Sequence, residues 1–167
     1  GIVNVLMTGV NVTPAKIRKA MALRKKYSGF IQAIDNTSNA QDLQAAAKEA
    51  GIVADVVVDV DVIKRSGVIP GEPALALAQM IDKMPNLKFR GILAYDGAVQ
   101  HVTGFQQRKE QALKNFEPVV KTYQMMKSAG LNMEIFSGGG TGTYNIYNGI
   151  PGFTDVQVGS YLFMDCQ

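Results

Sequence analysis

The 167-residue sequence has no tryptophan, a single cysteine (Cys166) and a single histidine (His101). One cysteine excludes an internal disulfide and suits a reducing compartment, so a cytoplasmic location is expected. One histidine cannot build a histidine-based metal site by itself. Charge is also sparse: charged residues make up 19% and the formal net charge is +3. There is no basic stripe or lysine–arginine cluster, so nucleic acid is not an expected partner. No apolar run is long enough to span a bilayer, and no charged–apolar–small leader opens the chain. What is plentiful is apolar matter, at 47% of residues, which excludes disorder and supplies one sizeable core.

Strand-like and helix-like segments alternate. Residues 2–7 predict a strand and 13–27 a helix, with Thr13 as cap and Pro14 at the first helical position. Ile17, Ala20, Met21 and Tyr27 fall on one face of that helix. "GFIQAID" predicts a second strand, and "NAQDLQAAAKEAG" a helix capped by Asn39 and closed by Gly51. In "ADVVVDVDVI", Val56, Val58, Val60 and Val62 point one way while Asp59 and Asp61 point the other. A helix starting at Pro73 and a strand over "LKFRGILAY" follow. The segment from Phe105 to Gly130 has helical spacing, with Pro118 predicting a kink or a division into two helices. "NMEIFSGGG" and "TDVQVGSYLFMD" supply the last strands.

Such alternation implies parallel strands covered by helices. An open doubly wound sheet and part of a (β/α)8 barrel both fit. Length favours the open sheet, whereas two acids on one face of a valine-rich strand suit a polar barrel interior. Either architecture places ligands at the carboxyl ends of the strands.

The stretches found there are polar or glycine-rich. The run from Ser137 through Gly138, Gly139, Gly140, Thr141, Gly142 and Thr143 lacks the lysine of a Walker loop and the third glycine of a dinucleotide fingerprint. It suits a compact phosphate cradle made of backbone amides and threonine hydroxyls, or else a tight turn crowded against neighbouring backbone. Arg65, just past a strand end, is an anion or cofactor-ring contact or a solvated arginine. Tyr95 offers a ring and a hydroxyl to a ligand or to the core. Asp96 can begin a turn with Gly97. A lone His101 is more often structural or exposed than catalytic, and Cys166 has no histidine partner nearby in sequence.

Taken together and in order, "GEPALALAQMID…LKFRGILAYDGAVQH", "FSGGGTGTY" and "TDVQVGSYLFMD" resemble the D-threonine aldolase and D-3-hydroxyaspartate aldolase family, whose catalytic domain is shared with the D-serine dehydratases. "VTPAKIRKAMAL" and "AIDNTSN" resemble its earlier segments, so the likeness covers nearly the whole chain. It implies an incomplete (β/α)8 TIM-type barrel of the alanine racemase N-terminal domain kind, with residues 1–167 as a single partial barrel domain of six or so strands. The activity implied is that of a lyase dependent on pyridoxal 5'-phosphate and a divalent metal (Mn, Mg or Zn), cleaving a D-3-hydroxy amino acid to glycine and an aldehyde or oxoacid. A D-serine dehydratase and a non-catalytic pyridoxal-phosphate carrier are the alternatives. The assembly implied is a homodimer.

Carried over by resemblance, Ser137 and Gly138 to Thr143 cradle the cofactor phosphate, Tyr95 contacts the cofactor and Arg65 sits beneath or beside its ring. Gln100 and His101 lie on the substrate side as catalytic residues, while Tyr161 and Asp165 fall in the last strand. The departures matter as well. No lysine stands at the family's Schiff-base position, which is expected upstream, and no residue here serves as a metal ligand, those being expected in a downstream β-domain. The 167 residues alone are therefore expected to be inactive. The turn "DVIKRSGV" is about one residue shorter than usual and lacks the glycine common just after the acidic strand, and Gly9 stands where asparagine is common.

Overall fold

The computed structural model describes residues 2–163; Asp165 and Cys166 lie outside them. Six parallel strands form one sheet in strict chain order: β1 (Asn4–Met7), β2 (Gly29–Ile34), β3 (Ala54–Asp59), β4 (Leu87–Ala94), β5 (Ile135–Gly138) and β6 (Asp155–Val156). A doubly wound sheet reverses direction partway through, and this one does not. The sheet curls into a half-barrel that does not close. Helices α1 (Pro14–Lys26), α2 (Thr37–Ala50), α3 (Glu72–Asp82) and α4 (Phe105–Ser128) make the crossovers, and a short α5 (Ser160–Phe163) follows β6.

Strand alternation sorts the side chains onto two unlike faces. Val56, Val58 and Val60 join Phe30, Ile34, Phe89, Ile92 and Phe136 in the large core beneath the helices. The opposite face has only a small buried cluster of Ala33, Val57 and Leu93. Along β3 this inner face reads Asp55, Val57, Asp59. At the amino end, Asp55 is paired with Arg24 of α1 (3.0 Å) and with Arg90 of β4, which also binds Glu134. These ions tie α1, β3, β4 and the residue leading into β5 together at the foot of the sheet.

Several local expectations hold, and others are corrected. The Thr13 side chain caps α1 by accepting from the Lys16 amide, and Gly51 closes α2 in the left-handed conformation (φ 67). The cap of α2 is Asn36, not Asn39: Asn36 accepts from the Asn39 amide, freeing the Asn39 side chain to donate to the Asn11 carbonyl (2.6 Å). Tyr27 falls just past α1 and is exposed, as is Phe105 at the start of α4. β3 ends at Asp59, because the chain folds back there: the Val68 amide donates to Asp59 O and the Asp61 amide to Val68 O. Pro118 does not divide α4, which runs unbroken for 24 residues. Pro118 and Lys114, whose carbonyl loses its partner, both lie on the exposed side. One turn on, the Thr122 hydroxyl donates to Pro118 O and accepts the Gly71 amide (2.7 Å each), tying α4 to the start of α3. Finally, "TDVQVGSYLFMD" yields only the two-residue β6, and Tyr161 lies in α5 rather than in a strand.

The register of β3 against β4 slips between Val56 and Val58, leaving one extra residue on β4 at Gly91 (φ 136). A Cβ there would lie 2.0 Å from Ile135 O, whereas one on the left-handed Gly51 would meet nothing within 4 Å. Gly91→Ala is therefore expected to cost about 3 kcal/mol or more and Gly51→Ala about 1 kcal/mol, read from denaturant midpoints. Equal losses would contradict the crowding assigned to Gly91.

Candidate functional site

A cleft of about 850 Å³ opens at the carboxyl ends of the strands, lined among others by Gly9, Asp59, Arg65, Tyr95, Ser137 and Gln157. Its β3 side is shaped by the turn over 60–68. Asp61 stabilises this turn by accepting from the amides of Ile63 (3.1 Å) and Arg65 (3.2 Å). In place of a further glycine, Lys64 takes a left-handed conformation (φ 59), followed by Gly67 (φ 96). The turn brings the Arg65 guanidinium over the Tyr95 ring, 5.4 Å from its centroid.

Asp59 is buried at 5% exposure on the cleft floor. Burial pushes its carboxyl up to about 6; a hydrogen bond with Ser66 opposes this, Asp35 and Asp61 add to it, and the Arg65 charge opposes it last. On the β5 side, the Ser137 hydroxyl donates to Asp155 (2.5 Å) and accepts from Gln157 Nε2 (3.1 Å).

The glycine loop begins at Gly139 (φ 65), where a Cβ would meet the Tyr147 ring at 2.7 Å. Tyr147 is fully buried and stacks on Phe116 (4.4 Å between centroids), within an aromatic cluster that includes Phe136 and Phe153. Burial raises its phenol well above the usual range, with the Asp96 charge adding to the effect. Beyond Gly139 the loop is braced internally. The Gly140 amide donates to Thr143 Oγ1 (2.9 Å) and the Gly142 amide to Gln100 Oε1 (2.6 Å). Gln100 Nε2 donates to Thr143 Oγ1 and to Asp96 O. The loop face left for a ligand is the one carrying Thr141, which lines a smaller cavity of about 380 Å³ with Tyr144, Val156, Val158 and Tyr161. Val156 and Val158 border both cavities, so the two adjoin.

The structure thus brings Arg65, Tyr95 and Ser137 together in one cleft and sets Gly138 to Thr143 beside it. Tyr161 stands next to the loop, its amide donating to Thr141 Oγ1 (3.3 Å). Gln100 packs against the loop's backbone, and His101 is exposed at the end of the 3₁₀ turn Ala98–His101, outside the cleft lining. Asp96, fully buried, accepts from the amides of Ala98 and Val99 and from Asn115 (2.7 Å), securing this turn to α4. No lysine lines the cleft. Among the described residues, no group of three His, Cys, Asp or Glu side chains could hold a metal ion. Sequence reading passed over Ser66, Gln157 and Arg108. Only Asp59 carried a signal, its parity with Val57.

The family described as "Alanine racemase, N-terminal domain" matches residues 4–167. The chain is 36% identical to a 3-hydroxy-D-aspartate aldolase of Paracoccus denitrificans (strain Pd 1222) over 99% of its own length and 43% of that protein's. It is 32% identical to a D-threonine aldolase of Arthrobacter sp over 99% of its length and 44% of the relative's. The crystal structure of D-threonine aldolase from Filomicrobium marinum superposes with a TM-score of 0.93 at 31% identity, covering 98% of this chain and 44% of that one. The chain therefore spans less than half the length of the relatives it matches.

The buried Asp59 generates a pH prediction. Its ordinary value is 3.8, so the folded state holds this proton more tightly than the unfolded chain does, and stability is lost as pH rises from about 4 through about 6. Asp59→Asn is expected to flatten that loss and to raise stability at pH 7 by about 2 kcal/mol, measured by urea unfolding across this range. A variant that keeps the wild-type pH slope would contradict the assignment.

Proposed function

Because the chain belongs to the alanine racemase N-terminal domain family, we propose that it forms the cofactor-holding half-barrel of a pyridoxal-phosphate-dependent lyase. In this reading the enzyme cleaves D-3-hydroxy amino acids, D-threonine or D-3-hydroxyaspartate, to glycine and an aldehyde or oxoacid. Family membership supports a capacity to bind pyridoxal phosphate. The aldolase relatives support the substrate class. The observation that carries the reading is the braced glycine loop opening beside a cleft whose wall is an arginine stacked on a tyrosine.

The fit to such a cofactor rests on this chain's own geometry. Gly139 can take no side chain, and at Gly140 and Gly142 a Cβ would sit 3.0 Å and 2.9 Å from Gln100 Oε1. With the Gly140 and Gly142 amides already bonded to Thr143 and Gln100, what the loop would offer a phosphate is the Thr141 hydroxyl and space free of side-chain bulk. In this reading Tyr95 and Arg65 would flank the cofactor ring, and Ser137, fixed by Asp155 and Gln157, would bound it from the β5 side. When bound, pyridoxal phosphate supplies the electron sink for carbon–carbon cleavage. His101, exposed next to Gln100, is assigned to the substrate side. Since no lysine lines the cleft, the covalent anchor and the divalent-metal ligands are assigned to parts of the protein outside these residues.

The test is direct. Intact protein supplied with pyridoxal phosphate and manganese is expected to release glycine from D-threonine or D-3-hydroxyaspartate. Pyruvate from D-serine instead would make it a dehydratase of the same family, and cofactor absorbance without turnover would make it a carrier. Within the loop, Gly142→Val displaces the Gln100 amide, and we expect cofactor affinity to fall about tenfold or more in an absorbance titration, the loss of one or two good hydrogen bonds. Unchanged affinity would place the phosphate elsewhere.

A further inference from the structure

We propose that Arg108 is a positioning residue for the phosphate loop, holding its backbone in shape and placing a positive charge behind it. The proposal rests on the pyridoxal-phosphate reading above. Arg108 lies near the start of α4, yet its guanidinium turns away from its own helix. Nε donates to Gly142 O (2.8 Å) and Nη1 to Val102 O (2.9 Å). One side chain thus joins the segment after β4 to the glycine loop after β5. Gln100 grips the same residue from its other end, accepting the Gly142 amide at 2.6 Å. The peptide groups on both sides of Gly142 are therefore held, one by its N–H and the next by its C=O. Glycine has the greatest conformational freedom to lose, so this is where a brace has the most effect.

Arg108 is half-buried, and no ion pair among the described residues includes it; those found use Arg24, Arg90 and Lys121. The first turn of α4 contains no acid either. A cation near a helix amino end is opposed by the helix field, so its position brings no local helical benefit. What it does is bond two carbonyls and set a guanidinium behind the loop with no carboxylate at ion-pairing distance among the described residues. A phosphate dianion on the Thr141 face would provide the missing negative charge. Arg108 would act through the Gly142 backbone, without touching the phosphate.

The experiment compares pyridoxal phosphate with pyridoxal, which lacks only the phosphate, in absorbance titrations of the intact apoprotein. Arg108→Met is expected to weaken pyridoxal phosphate about tenfold while leaving pyridoxal at its wild-type affinity. Arg108→Lys keeps the charge but not the two-pronged contact, and should recover part of the loss. Inorganic phosphate should compete with pyridoxal phosphate less well in the methionine variant. Equal weakening of both ligands, or of neither, would overturn the role assigned to Arg108. A wild-type protein that binds neither ligand would instead overturn the cofactor reading itself. Thermal unfolding of each apoprotein identifies a variant that fails to fold, and the lysine variant then decides the matter: wild-type affinity for both ligands sustains a charge role, and loss of both refutes it.

Discussion

Because each strand pairs in parallel only with the strands before and after it in the chain, every crossover must return on the same side of the sheet. That one constraint assigns the faces. The helices pack on one surface and bury the valines, isoleucines and phenylalanines that β2 to β5 point toward it. The other surface is left to curl around a narrow interior, and the carboxyl ends of the strands converge on a single opening. The cleft is a consequence of the winding, and the loops that line it vary upon a fixed frame.

Within that interior, β3 carries the same side chain at two heights with opposite outcomes. Asp55 meets two arginines at the foot of the sheet and is neutralised there. Asp59, on the same face of the same strand, meets no arginine within ion-pairing distance among the described residues and is pushed toward the protonated form by burial. A paired buried charge holds a scaffold together, whereas an unpaired one costs stability and persists where something else is gained. The contrast sets an ion-paired foot against the rim at which the cofactor site is proposed.

Much of this frame can be read from residue order. The Val56–Val60 alternation against Asp59 announces a strand with a polar inner face, Thr13 and Gly51 mark helix ends, and the glycine run announces a loop that must do without side chains. The misreadings share a cause, which is that the deciding contact is distant in sequence. Asn39 looks like a cap until Asn11 claims its amide, and β3 seems to run on through Val62 until Val68 folds back on it. Pro118 looks like a break until the long helix is seen to turn it outward. Arg108 gives no local sign at all, since what distinguishes it is a loop 34 residues further along the chain.

The order of strands in space is also their order of synthesis. Each new strand emerging from the ribosome finds its only earlier partner already in place, one helix back, and never has to wait for a distant segment or displace one already paired. The half-barrel can thus be laid down progressively, with the ion pairs among Arg24, Asp55, Arg90 and Glu134 forming in succession along its foot. The glycine loop follows β5, so within these residues it is made after the strands β1 to β4 that border the same cleft.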